Sequence, residues 1–364
     1  MVFQGGQRTT ATALSDDIPS TVPRIVTQEE LARHKSKRDA WVVVDGNVYN
    51  VASFLESHPG GEEIILEHLH EKDIGELMRG ETGEEGEHHL HSKVAFRMLQ
   101  QYLVGPLSRT VDATHPVMDD SDVANKPKSK KFTVDLTKPI VAQVGYLGED
   151  YDEWVHDPIV CKETPRFFES DITEYFTRTK WWVIPMVWCP VSFGMFHIAL
   201  QNGMTMQRLP YMLFVGVLFW TFLEYVLHRF LFHMKTTSFW ANTFHYVLHG
   251  FHHKHPMDGS RLVMPPAMAA PIVVAIWVLM GDWVAVYPDK LVLYGGTILA
   301  YVCYDLTHYF LHFGTPFNLQ LRQLKRYHMI HHFKDHSNGY GITSRFWDWI
   351  FSTVPAAALS KLLQ

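Results

Sequence analysis

Histidine occupies 23 of the 364 positions, and most of these residues are clustered. Four clusters read His228-Arg-Phe-Leu-Phe-His233, His249-Gly-Phe-His252-His253, His308-Tyr-Phe-Leu-His312 and His328-Met-Ile-His331-His332. Neutral imidazole is a good ligand for iron and zinc. His308 and His312 are four apart, so a helix points both along one side. In His-x-x-His-His the first and third histidines are also four apart, while the middle one is turned by about 100°. Such a triple can serve two neighbouring metals, and ten histidines are enough for two ions with about five nitrogen ligands each. Any one of them alone reads as a satisfied core or interfacial residue. Their grouping, ten in four short clusters on one side of the apolar segments, argues for a shared site. Glu224, four residues before His228, and Asp305, three before His308, are spaced to accept a ring N–H and orient a metal-bound imidazole. His245, His255 and His336 fall outside the repeating pattern and read as bystanders or supporting residues.

A second constellation lies upstream. In Ser57-His58-Pro59-Gly60-Gly61 the histidine before proline is held extended. The two glycines let a flat ligand approach the backbone, and an imidazole presented in this way suits an axial haem ligand. Trp41-Val-Val-Val and Val48-Tyr-Asn-Val read as strands around a turn at Asp45-Gly46-Asn47. His68, His70 and His88 read as loop histidines. Ten acidic residues crowd the stretch from Glu62 to Glu87. They form either a plain solvated face or a field that steers a basic electron donor.

Four apolar segments must position the histidine boxes: 181–200, 209–230, 266–286 and 291–311, each near the ~20 residues a helix needs to cross a bilayer. Pro265, Pro266 and Pro271 should kink or delay the third. The connectors after the first and third segments hold only Arg208 and Lys290, whereas the other face collects the Lys126–Lys131 run and the basic residues between Arg229 and Arg345. By the positive-inside rule that second face, with both termini and all four boxes, is cytosolic. Trp181, Trp182, Tyr211, Trp283 and Tyr287 fit interfacial belts, which favours membrane spans over the buried core helices of a soluble protein. A net charge of -6 gives nucleic acid no electrostatic support as a partner. Cys161, Cys189 and Cys303 read as small buried hydrophobes rather than a disulfide framework. The first 17 residues lack the apolar core of a secretory signal and read as a disordered tail.

The upstream unit resembles cytochrome b5 in W-V-V-V-D-G-x-V-Y-N-V and F-x-x-x-H-P-G-G. That resemblance implies haem b with His58 as one axial ligand. The second is assigned to His91, where His91-Ser92 precedes an amphipathic run, with His89 as the alternative. The boxes, together with Val144-Gly-Tyr-Leu-Gly-Glu-Asp-Tyr, Asp258-Gly-Ser-Arg-Leu-Val263 and Gly339-Tyr-Gly-Ile-Thr343, are similar to the fatty acid 2-hydroxylases of the membrane di-iron hydroxylase superfamily. The implied fold is an α+β cytochrome b5-like domain followed by an all-α integral membrane domain with about four transmembrane helices and a cytosolic, histidine-lined helical cap. Expected boundaries are a tail over 1–23, a haem domain over 24–105, a linker over 106–135 and the hydroxylase over 136–364. The resemblance implies O2-dependent hydroxylation of the α-carbon of long or very-long fatty acyl chains for 2-hydroxy sphingolipids and ceramides. It also implies an NAD(P)H-dependent cytochrome b5 reductase as donor, a di-iron centre whose site zinc can also occupy, and residence in the endoplasmic reticulum. Arg261 and Tyr340 are candidates for reading the substrate head, against plainer readings as a snorkelling arginine and a packed aromatic. A haem-fused desaturase is the rival reading, but such fusions start the last box with glutamine where this chain has His328. A membrane-anchored electron carrier without catalysis is the third.

Overall fold

The computed structural model describes residues 24–55, 58, 62–69, 73–80, 91, 93–108, 132–159, 165–281 and 283–359. The expected tail, His70, His88, His89, Cys161 and most of the expected linker lie outside these residues.

The first unit is a four-stranded antiparallel sheet in the order β1 (Lys35–Ser36), β2 (Asp39–Val44), β3 (Asn47–Asn50) and β4 (Leu103–Pro106). Val44 pairs with Asn47, leaving a two-residue turn at Asp45-Gly46, both with positive φ (50° and 74°). That is the turn whose twist matches the strands it joins. Asp73 secures it by accepting from the N–H groups of Asp45 (2.9 Å) and Gly46 (2.8 Å). One member of the acidic run is therefore a turn clamp. Alternate residues of β2 enter two cores. Ala40, Val42 and Val44 pack with Tyr49 and Leu55, while Trp41 and Val43 pack with Val26 and Val48. Helices α1 (Glu62–Glu67) and α2 (Lys93–Gln100) flank the first core.

The second unit is helical. Among the described residues two helices are long and apolar enough to cross a membrane, α3 (Val183–Gln201) and α4 (Leu209–Phe232). Both expose large apolar side chains to the surroundings, among them Met186, Phe193 and Phe214. An exposed apolar surface of this extent marks a membrane or protein partner. The third expected span is shorter than its sequence suggested. Helix α5 (Pro266–Leu279) has 14 residues, starting at the proline pair and ending before Gly281. At 1.5 Å per residue it is about 21 Å long, less than the hydrocarbon thickness of about 30 Å. Helix α6 (Tyr287–Phe313) runs through the centre of the bundle, and its residues from Leu291 to Ile298 are buried.

Small residues let α6 sit close to its neighbours. A Cβ on Gly216 would lie 2.2 Å from the Leu293 carbonyl oxygen, and Ser192 Oγ donates to the Gly295 carbonyl at 2.8 Å. At the connector ends Arg208 pairs with Asp289 (2.5 Å). Cys303 is exposed on α6 and Cys189 is partly buried, so the expectation that both are buried fails for Cys303. Further helices, among them α7 (Phe239–His245), α8 (Phe251–Lys254), α9 (Leu319–Phe333) and α10 (Phe346–Ile350), belong to the cap. Arg97 of α2 forms an ion pair with Asp157, joining the first unit to this cap.

Candidate metal centre and haem site

Two of the four boxes lie in helix that has gained a residue per turn. The backbone is π-helical over Leu227–Phe232 and again over Tyr246–Gly250. Five-residue periodicity brings His228 and His233 to one face, where four-residue periodicity would have splayed them. The His233 N–H donates to the His228 carbonyl at 3.1 Å. Such bulges recur where side chains must be re-aimed for function. The other pairs follow ordinary helical spacing: His308/His312 on α6 and His328/His332 on α9.

All ten box histidines converge. His252, His308, His312, His328 and His332 each offer a ring nitrogen, all within 4.8 Å of one another; His228, His233, His253 and His331 form a second such group. His249 joins the second group through His253, with Nε2 atoms 3.1 Å apart. Consecutive histidines divide between the groups, His252 from His253 and His331 from His332. The groups adjoin, the ring centroids of His253 and His332 being 4.4 Å apart.

The donor set fits metal ions. His228 Nε2, His308 Nε2 and both ring nitrogens of His252 are buried without a hydrogen-bond partner. Orphaned polar atoms of this kind are costly unless something coordinates them. Burial pushes the imidazoles of His249, His252, His253, His328, His331 and His332 well below the usual histidine range. They are therefore neutral at pH 7, the form in which imidazole ligates.

The orienting partners differ from those expected. His228 Nδ1 donates to the Tyr340 carbonyl (2.6 Å), and His331 Nδ1 to the Asn338 carbonyl (2.7 Å). Each bond leaves Nε2 facing its group and fixes the ring plane. Glu224 takes no imidazole N–H. It accepts from the backbone of Ile342 and Thr343 (both 2.8 Å) and from the Thr343 hydroxyl (2.6 Å). Asp305 accepts from Met264 N (3.2 Å) and the Tyr301 hydroxyl (3.3 Å), not from His308. Helical spacing had put both carboxylates near the rings, but each instead holds a chain segment that crosses the helix.

Residues the spacing did not single out complete this layer. Asp348, wholly buried, accepts from Tyr340 N (2.9 Å), Gly341 N (2.7 Å) and Thr353 Oγ1 (2.7 Å). Asp348 and Glu224 thus clamp the 339–343 loop from both sides, with Gly339 at φ 81°. His156 forms a further group with Asp152 and His336. Its ring stacks on His336 (3.7 Å) and lies 5.1 Å from that of His253. No box spacing marks His156, which lies 72 residues before His228. His336 was read as a bystander and belongs to this group. His245 bridges Tyr151 OH (2.7 Å) and the Phe232 carbonyl (2.6 Å), and His255 is buried outside the groups. Arg261 is fully buried, with its guanidinium paired to Asp258 (2.8 Å) and to Glu174; the Tyr340 hydroxyl donates to Ser337 O (2.7 Å). Both head-reading candidates are thus occupied within the protein.

Below the first group an apolar cavity descends between helices. It takes in about 1120 Å³ of space, part of it open to the surroundings. Its upper end is lined by His249, His252 and His308, its walls by Trp220, Met268, Ile272 and Ile298, and its lower end by Ile276 and Tyr294. In the first unit the rings of His58 and His91 face each other with centroids 6.4 Å apart and planes 21° apart. That centroid separation leaves room for one metal ion about 2 Å from a nitrogen of each ring. His91 Nδ1 is held toward the Met78 carbonyl (3.3 Å). His68 is in a turn after α1.

Comparison with known proteins gives the same two-part division. Residues 27–108 match the cytochrome b5-like haem/steroid-binding domain, and residues 213–353 match the fatty acid hydroxylase family. The fatty acid 2-hydroxylase of Mus musculus is 36% identical over 92% of this chain and 97% of its own length. The chain belongs to the fatty acid 2-hydroxylase family. A dihydroceramide fatty acyl 2-hydroxylase of Arabidopsis thaliana is 52% identical over 62% of this chain and 95% of its own. A solved structure described as full-length scs7p, with only the hydroxylase domain visible, is 35% identical, with a TM-score of 0.58 over 62% of this chain and 87% of that one. As a fatty acid 2-hydroxylase family member the protein is a membrane oxidoreductase. It combines a haem-binding domain with a histidine-clustered metal centre.

Proposed function

We propose that this enzyme inserts one oxygen atom from O2 at the α-carbon of a fatty acyl group destined for 2-hydroxy sphingolipids, using an iron pair held by the ten box histidines. The observation that carries this reading is the division of ten buried imidazoles into two adjoining groups above one apolar cavity. Iron, when bound, supplies the oxygen activation that no side chain can. The chain's own residues do the rest. The Tyr340 and Asn338 carbonyls keep His228 and His331 protonated on Nδ1 and turn each Nε2 toward the second group. The apolar walls hold the acyl chain and exclude water around the reacting carbon.

His58 and His91 would hold haem b, which would supply the one-electron relay between an NAD(P)H-dependent cytochrome b5 reductase and the histidine centre. Tethering raises the donor's effective concentration at its acceptor. The membrane arrangement is two helical hairpins, α3–α4 and α5–α6, entering the endoplasmic reticulum bilayer, with α5 too short to cross it unaided and with the histidine cap and both termini cytosolic, the side on which the basic residues collect. Zinc suits the same nitrogen donors and can occupy the site in purified protein.

The test is 18O2 labelling in membranes that carry the full-length chain and lack other 2-hydroxylases. The expected product is a 2-hydroxy acyl group bearing one 18O atom, lost when His252 and His253 are replaced by alanine. An unlabelled product, or one with a new double bond instead, refutes the reading.

A further inference from the structure

The cavity is bounded by two helical stripes. On α6 it is lined by Tyr294, Thr297, Ile298, Tyr301, Tyr304, Asp305 and His308, the i, i+3, i+4, i+7 pattern of one face. On α5 it is lined by Met268, Ala269, Ile272, Val273 and Ile276, again one face. A slot between two such stripes is long, narrow and of definite depth. Its lower end is plugged. The Tyr294 hydroxyl donates to the Val273 carbonyl across the slot. Trp277 packs edge-on behind Tyr294, with ring centroids 5.0 Å apart, and the Lys290 ammonium sits 4.0 Å from the Trp277 ring centre.

We infer that this plug is a chain-length ruler, with the Tyr294 ring as the residue that sets the longest acyl chain accepted in full extension. The inference rests on the acyl-hydroxylase reading above and deepens it. His308 and Tyr294 are 14 residues apart on α6, about 21 Å at 1.5 Å per residue. A zigzag of carbon bonds about 1.5 Å long at near-tetrahedral angles advances about 1.25 Å per carbon. The slot therefore spans about 17 carbons, or about 14 after allowing about 3.5–4 Å for van der Waals contact with the floor. Adding the two carbons at and above the reacting position gives a preference for chains of about 16 carbons. A chain of about 24 carbons overshoots the floor by about 10 Å on the same arithmetic.

The test uses membranes carrying the full-length chain, supplied with equimolar saturated fatty acids of about 12, 16 and 24 carbons, with 2-hydroxy products resolved by mass spectrometry. Refusing even one methylene in an apolar pocket discriminates by about tenfold. The wild type should therefore favour 16 over 24 carbons by about tenfold or more. Tyr294→Ala should reduce that ratio about tenfold, whereas Tyr294→Phe, which keeps the ring and loses the hydroxyl, should preserve it. Ile298→Trp raises the floor to about 15 Å below His308 and should shift product from 16 toward 12 carbons by about tenfold. The Ile298 variant decides the matter should Tyr294→Ala fail to accumulate. Hydroxylation with the same chain-length ratio in wild type, Tyr294→Ala and Ile298→Trp overturns the ruler while leaving the hydroxylase reading intact. A wild-type chain that forms no 2-hydroxy product overturns that reading, and the ruler with it.

Discussion

Replacing Asp348 by asparagine tests whether the metal centre depends on a carboxylate that touches no ligand. Asp348 is wholly buried and accepts three hydrogen bonds, two of them from the backbone of Tyr340 and Gly341. Burial raises its pKa, while Thr353 and the two N–H groups pull it back. Asparagine has the same shape but only one acceptor atom. If its oxygen faces Tyr340 and Thr353, its NH2 faces the Gly341 N–H. An orphaned buried donor costs about 1–3 kcal/mol, and losing charge assistance on the other two bonds costs about 1 kcal/mol each. The 339–343 loop is thus loosened by about 3–5 kcal/mol, enough to open it locally in a domain with about 5–15 kcal/mol of total stability. The Tyr340 carbonyl then no longer holds His228, and the loss of such an orienting partner typically lowers metal affinity by about 10–100-fold. The assay is chelator competition on detergent-purified protein, with metal content by mass spectrometry and haem absorbance as the internal control. Asp171→Asn, at a site 91% exposed, serves as the matched surface variant. Equal metal retention in Asp348→Asn and wild type, with the loop sequence unchanged, refutes the argument.

Burial holds the His245 imidazole at about 4, below its value of about 6.5 in an unfolded chain. Its contribution is therefore complete above pH 6.5 and is lost as pH falls toward 4, by about 3 kcal/mol in total. Thermal midpoints measured from pH 7 to 4.5 should fall less steeply in His245→Gln than in wild type. Stripping metal with a chelator should lower the thermal midpoint by several degrees, and ferrous iron or zinc should restore it, because the buried ring nitrogens lose their partners. His58→Ala should abolish the haem absorbance while leaving the metal content of the histidine centre at its wild-type value, as the two sites share no residue. Gly216→Val should abolish accumulation of folded protein, since even a Cβ there would meet the Leu293 carbonyl oxygen at 2.2 Å.

What could be read in the sequence follows from what side chains alone encode. The histidine boxes were legible because ligation demands a particular side chain at helical spacing, as were the paired strands around Asp45-Gly46. The five-residue step from His228 to His233 was visible as a number, but its cause, a π-helical turn, is a backbone property. The partners of His228 and His331 were not legible, because both are main-chain carbonyls that any residue would offer. Spacing therefore directed Glu224 and Asp305 to the wrong partners. Asp348 carried no signal, and no box spacing marked His156, their proximity to the site being made by chain folding over long separations. Hydropathy marked the third apolar segment but overran its end, since the break at Gly281 depends on how α5 meets the following turn.

The choice of ligands bears on how the two halves work together. On the proposed reading, ten neutral imidazoles would leave the charge of the bound metal largely uncompensated, since Glu224 and Asp305 accept from backbone and hydroxyl groups and Asp152 faces His156 rather than a box histidine. Net charge at a metal site sets its reduction potential. A centre without anionic ligands accepts an electron more readily than a carboxylate-bridged one, which suits a haem donor of modest driving force. Among the described residues, one ion pair joins the halves. Arg97, six residues beyond His91, meets Asp157, and Asp157 directly follows His156, whose ring lies 5.1 Å from that of His253. The Asp157 carbonyl also accepts from Lys254 Nζ at 2.5 Å, next in sequence to His253. The route from haem ligand to metal group is therefore short in residues. Yet the Arg97–Asp157 latch is exposed, and pairs of that kind contribute about 0–1 kcal/mol. On the proposed reading, a haem donor that leaves its acceptor to be reduced again, and returns, would need a contact of this weakness.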